Sequence, residues 1–209
     1  MKLIGMLDSP YVRRAAVSAK LLGLSFEHQP LSVFRHFDEF RAVNPVVKAP
    51  TLLTDDGTMV LDSSLICDYL DHLVEPERRL LPVDAAARLR SLELIGLALA
   101  AAEKTVQVVY ECGQRPDEKL HQPWLDRIVQ QLDGAYGALE ARILGTTGWL
   151  LGERITQADV ALAVVWRFTQ YVRPDHPALA AVDAERYPSI AALSARAEAL
   201  PEFAGTPLD

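Results

Sequence analysis

An α/β module of βαβ–ββα order on a mixed four-stranded sheet, followed by an all-α domain, is the fold class this sequence predicts. Three observations carry it. Within residues 1–75, short apolar runs alternate with helix-period segments and turn signals. Residues 76–83 (PERRLLPV) break that texture with two prolines and a cluster of charges, and are read as a linker. From 84 to 209 no strand pattern appears, and apolar residues recur at helical spacing. A chain of 209 residues has room for two small domains of this kind.

Each element has its own signal. KLIGM (residues 2–6) reads as a strand. Pro10 suits the first position of a helix, where its missing N–H costs nothing. Val12, Ala15, Ala16, Ala19 and Leu22 then repeat at helical spacing, and Gly23 is a stop. FEHQPL (26–31) is a second strand, and strand–helix–strand implies a parallel pair. FRHFDEFRAVN (34–44) suggests a short helix ending before Pro45. TLL and TMVL flank an Asp-Gly turn, a hairpin signal. In LDSSLICDYLDHL, Ile66, Tyr69, Leu70 and Leu73 mark a helix for which Asp62 or Ser63 is a natural cap.

In the second part, 84–111 is Ala/Leu-rich and 120–144 carries a single apolar face. ADVALAVVW (158–166) is apolar nearly all round, which marks a buried helix, and a last helix spans 188–200. Thr156 and Asp159 form a capping box variant at the start of the buried helix, bracketed by Ile155 and Val160.

Composition excludes several function classes. Net charge is −7, from 21 basic and 28 acidic residues, and no Lys/Arg-rich block appears, so nucleic acid is a poor partner. Cys67 and Cys112 fit neither a zinc pattern nor a disulfide scaffold, which points to a reducing compartment. MKLIGMLDSP lacks the apolar length and cleavage site of a secretion signal. The apolar run 158–166 is too short to span a bilayer, and no basic amphipathic helix suggests a membrane surface. The expectation is a soluble, cytoplasmic protein. His28, His36, His72, His121 and His176 are not paired for metal binding, so no metal is expected. GxGxxG, Walker A and GxSxG motifs are absent.

Three segments, in order, carry a resemblance that spans almost the whole chain. NPVVKAPTLL (44–53) resembles the N-P-x-x-K-V-P-x-L stretch of the glutathione transferase family. LDSSLICDYL (61–70) is similar to that family's acidic-Ser helix start. ITQADVA (155–161), followed by RYPSIAAL and ALPEFAGT, resembles its helical-domain cap and terminal helices. The resemblance is to serine-type members, bacterial or theta/zeta-like, with a thioredoxin-like first domain. It implies a homodimer that binds glutathione and stabilises its thiolate for attack on a small hydrophobic electrophile. Two other readings stay open: a binding or interaction protein that kept the fold, and a glutathione-dependent lyase or dehalogenase.

The resemblance also implies site residues. Thioredoxin carries C-x-x-C where this chain has Ser9, Pro10, Tyr11 and Val12, so thiol exchange by the protein's own cysteines is excluded there. Ser9 would instead activate glutathione's thiol as the catalytic residue. A free thiol of pKa ~8.5 is mostly protonated at pH 7. A helix N-terminus favours an anion by ~0.3–1 kcal/mol, and a hydrogen bond to a charged sulfur adds ~1.5–3 kcal/mol, together lowering the pKa by roughly two units. The alternative is that Ser9 only caps the helix. Asp62 would take glutathione's ammonium, and Ser63 the adjacent carboxylate. The Ala49 backbone, before a cis Pro50, would pair with the cysteinyl part, and Lys48 would meet the glycyl carboxylate. Val47 and Ala49 stand where the family usually has Gly and Val. Arg13 either adds positive potential near the thiolate or is a surface charge, and Arg14 is read as surface. The second substrate would lie between the domains, against Tyr11, Val106, Tyr110 and Trp166, with core or dimer packing the alternative for Trp166.

Overall fold

The computed structural model describes residues 1–208. The chain forms two compact units, Met1–Val83 with the segment from Ala199 onward, and Asp84–Glu198. The first unit runs β1 (Lys2–Ile4), α1 (Pro10–Leu21), β2 (Glu27–Gln29), α2 (Phe37–Val43), β3 (Thr51–Leu53), β4 (Met59–Leu61) and α3 (Ser63–His72). The sheet order is β2–β1–β3–β4. β1 and β2 are parallel, with Leu3 opposite His28, and the other two pairs are antiparallel. The mixed four-stranded sheet is thus present, with strands shorter than the sequence suggests. β1 stops where Gly5 turns to φ +138°, and β2 stops before Pro30, which has no N–H to donate.

Strand alternation splits the core into two clusters. Leu3 packs with Val12, Ala16, Leu52, Ile66 and Leu70. Its neighbour Ile4 packs with Leu31 and Phe40. The residues 76–83, expected as a linker, are pinned to the first unit. Asp71 is 3% exposed and accepts the N–H of Leu80 at 2.9 Å and of Leu81 at 2.8 Å. Both leucines are buried.

The second unit comprises α4 (Ala85–Gly113), α5 (Gln122–Ile143), α6 (Gln157–Val172) and α7 (Pro188–Glu198). α6 outruns its apolar signal by six residues, and every residue from Ala158 to Trp166 is buried. Within the helical core Tyr136 and Thr169 share a 2.6 Å hydroxyl contact, and Thr105 reaches Thr169 at 3.0 Å. α8 (Pro201–Ala204) belongs to the first unit, a departure from the expected 84–209 division. The reason is Arg13. Its Nε donates to the Thr206 carbonyl at 2.7 Å, and its guanidinium stands 5.8 Å from the Phe203 ring. No helix among the described residues is long and apolar enough to cross a membrane.

The start of α6 is held by one carboxylate. Asp159, fully buried, accepts the Thr156 N–H at 2.8 Å, the Thr156 hydroxyl at 2.7 Å and the Leu150 N–H at 2.8 Å. Burial pushes its pKa up, against these hydrogen bonds, which pull it down. A raised folded-state pKa gives a stability contribution that is full below the ordinary carboxylate pKa and is lost as pH rises through the folded one. Removing the side chain breaks the capping box and leaves two backbone donors, Thr156 and Leu150, unserved. Asp159→Ala should cost about 2–3 kcal/mol, or roughly 5–10 °C in thermal denaturation. A variant that melts like the parent but has lost ligand binding would overturn this structural assignment.

Candidate active site

The site starts at the end of β1. A Cβ on Gly5 would lie 2.6 Å from Val12 Cγ2 and 3.0 Å from Ala49 Cβ, so only glycine lets the first turn of α1 approach Ala49 this closely. The turn that follows puts Ser9 at the N-cap of α1, with Pro10 in the first helical position. The Arg13 N–H donates to the Ser9 carbonyl at 2.9 Å. The Val12 N–H reaches Ser9 Oγ at only 3.5 Å, which is long and therefore weak. A serine that accepts one hydrogen bond still has its own proton to donate. Capping and donation to a sulfur anion thus use different parts of one hydroxyl, and the two readings of Ser9 are compatible.

The Ala49–Pro50 peptide is cis, as the resemblance implied. Asn44, fully buried, braces this loop by donating to Thr51 Oγ1 at 2.8 Å and to the Lys48 carbonyl at 3.3 Å. Val47 has φ +52°, an uncommon conformation for a β-branched residue. Glycine is the usual family residue there because it adopts this conformation freely. Here the Val47 side chain packs against Ile4, Leu31 and Phe40, which offsets part of the strain.

The third component is the start of α3. Asp62 is its N-cap, at φ +75°, and accepts the Ser64 N–H at 2.9 Å. Its other oxygen lies 3.5 Å from Lys48 Nζ. Partial burial raises the Asp62 pKa, but the Ser64 N–H and the Lys48 charge outweigh it and hold the carboxyl below its ordinary value. The ionised form therefore persists to lower pH than that of an ordinary aspartate. Ser63 is buried at 3% exposure. Lys48, Asp62 and Ser63 are thus brought together at one helix start, and Val12 and Ala49 meet across Gly5.

Two arginines differ from their sequence reading. Arg13 is 1% exposed and its guanidinium donates to carbonyls of the C-terminal segment, so it is not a surface charge. Arg14 is 2% exposed, not surface. Its Nη1 donates to Ser64 Oγ at 3.2 Å and Ser63 Oγ at 3.4 Å. The sequence held one hint: α1 is buried on almost every side from Pro10 to Ala19, and the unbroken apolar run around the two arginines reflects that.

The residues read as substrate contacts separate into three groups. Tyr11, in the first turn of α1, is half-buried. Val106 and Tyr110 lie one turn apart on α4, with Tyr110 exposed. Trp166 belongs to the core of the second unit, because its ring meets Tyr136 edge-on at 5.4 Å and lies 6.1 Å from Tyr187. Among the described residues no group of three or more His, Cys, Asp or Glu side chains is placed to hold a metal ion.

A cis-proline loop and two helix starts on a mixed four-stranded sheet, with a separate four-helix unit, define a glutathione transferase fold. Residues 3–78 match the family of glutathione S-transferase N-terminal domains, and 122–196 that of the C-terminal domains. The chain belongs to the glutathione transferase family. A glutathione S-transferase from Methylobacterium radiotolerans, solved with glutathione sulfonate, is similar at 30% identity and TM-score 0.86, over 98% of this chain and 93% of its own. A family member from Pseudomonas fluorescens Pf-5 with bound glutathione is similar at 28% and TM-score 0.84, over 100% and 98%. The maleylacetoacetate isomerase of Pseudomonas aeruginosa is 28% identical over 172 residues, 78% of each chain.

Proposed function

We propose that this chain is a glutathione-dependent enzyme that binds glutathione on its first unit and holds the sulfur as a thiolate for attack on a small hydrophobic electrophile. The observation that carries this reading is the Ser9 hydroxyl at the start of α1, committed to its cap only by a 3.5 Å contact and so able to donate to a sulfur anion. Asp62 takes the ammonium of the γ-glutamyl group and Ser63 its carboxylate. The Ala49 backbone, before Pro50, pairs with the cysteinyl part, and Lys48 turns from Asp62 to the glycyl carboxylate. Tyr11, Val106 and Tyr110 are proposed contacts for the electrophile. Structures related at 28–30% identity hold glutathione or its sulfonate, which supports the ligand.

The isomerase name of the Pseudomonas aeruginosa relative favours isomerising chemistry as a second use of the same thiolate. Leu89 and Leu92, exposed on one stretch of α4, support a homodimer. Both cysteines are free, which suits a reducing, cytoplasmic setting.

Calorimetric titration with glutathione at pH 7, in two buffers of different ionisation enthalpy, tests the reading. Binding with proton release supports it. Binding without proton release removes the activation step, and absence of binding leaves a reused fold. Ser63→Ala should weaken glutathione binding by roughly tenfold or more through loss of a charge-assisted hydrogen bond. Undiminished affinity would take Ser63 out of the site.

A further inference from the structure

Arg14 carries a full charge in a buried position without using most of its donors. It is 2% exposed, and its Nε–H is buried with no hydrogen-bond partner. Its bonds run to two neutral hydroxyls, Ser63 and Ser64, in the first turn of α3. Asp62, at the cap of that helix, and Asp71, within it, accept from other donors. Asp62 accepts from Ser64 N–H and faces Lys48, and both Asp71 oxygens accept backbone N–H groups. A guanidinium removed from water and bonded only to neutral groups is costly. The cost is offset when an anion arrives.

The start of α3 is where one would arrive. A ten-residue helix presents its positive end there, and its first two residues carry the hydroxyls to which Arg14 donates. A serine that accepts from a guanidinium keeps its own proton for another acceptor, so each hydroxyl can relay the charge outward. We infer that Arg14 is a positioning residue, whose buried charge acts through Ser63 and Ser64 to select a carboxylate bound at the start of α3. The inference rests on the proposed function, which assigns that carboxylate to the γ-glutamyl end of glutathione.

The test compares glutathione with γ-aminobutyryl-cysteinyl-glycine, which lacks only the carboxylate beside the ammonium. The parent should prefer glutathione by about tenfold or more. Arg14→Gln keeps a donor for the hydroxyls and removes the charge. It should reduce that preference by roughly tenfold while leaving affinity for the analogue nearly unchanged. Equal losses for both ligands, or an unchanged preference, would assign Arg14 a purely structural role. Where Arg14→Gln does not fold, Arg14→Lys decides. A preference kept near the parent's supports the charge relay, and a preference lost with native melting overturns it. A parent that does not bind glutathione sinks the proposed function itself. A parent that binds it with a preference indifferent to Arg14 sinks only the present inference.

Discussion

Replacing Ser9 by alanine should raise the pKa of the bound glutathione thiol by about 1–2 units, the loss expected when one hydrogen bond to a charged acceptor is removed. Affinity should change little, because most of the proposed glutathione contacts lie at Asp62, Ser63 and the Ala49 backbone. At pH 7 the thiolate fraction then falls by roughly tenfold, and the deficit closes as pH rises toward the new pKa. The loss of rate is smaller than the loss of thiolate, since a more basic sulfur is a better nucleophile, with a Brønsted slope of about 0.4–0.5. Titration of the thiolate absorbance in the complex is therefore the decisive measurement. The cap costs little to lose, because its contact to Val12 is already 3.5 Å. A variant with an unshifted thiol pKa would leave Ser9 with capping alone.

Gly5→Ala is the largest expected loss of stability. At φ +138° an L side chain is strained by about 1–3 kcal/mol. The added methyl would also stand 2.6 Å from Val12 Cγ2 and 3.0 Å from Ala49 Cβ, and overpacking of this kind costs about 1–3 kcal/mol more. A total of about 2–6 kcal/mol is a large share of the roughly 5–15 kcal/mol that holds a typical domain. Glutathione binding should weaken too, because relief of the clash moves Ala49. Denaturant unfolding of Gly5→Ala, Val12→Ala and the double variant separates the two parts. The steric part should be recovered when Val12 is shortened, and the backbone part should stay. Strictly additive losses would show that the clash relaxes elsewhere.

The elements that locate the site were legible because they are local. Pro10 after Ser9, and Asp62 before two serines, mark helix starts that any chain would use. The Asp-Gly turn set the hairpin, the apolar period of α1 and α5 set those helices, and a run apolar nearly all round marked α6. The cis state of Ala49–Pro50 came from the resemblance and not from spacing. What could not be read was long-range. Arg14 meets Ser63 across 49 residues of sequence, and Arg13 meets Thr206 across 193. No periodicity in α1 records either partner, so two buried cations resembled surface charges. For Trp166 the core packing offered as an alternative holds, and its aromatic partners, Tyr136 on α5 and Tyr187 just before α7, are again distant in sequence.

The Arg13 contacts bear on how the protein is made. At about 5–20 residues per second, a ribosome takes roughly 10–40 s to travel from Arg13 to Thr206. Even after residues 14–83 have been made, the nascent first unit lacks the Thr206 and Phe203 carbonyls that satisfy a guanidinium 1% exposed in the finished protein. The early half of the chain must wait for the late segment before its own interior is complete. The whole helical unit is synthesised while it waits, so folding of the first unit finishes last.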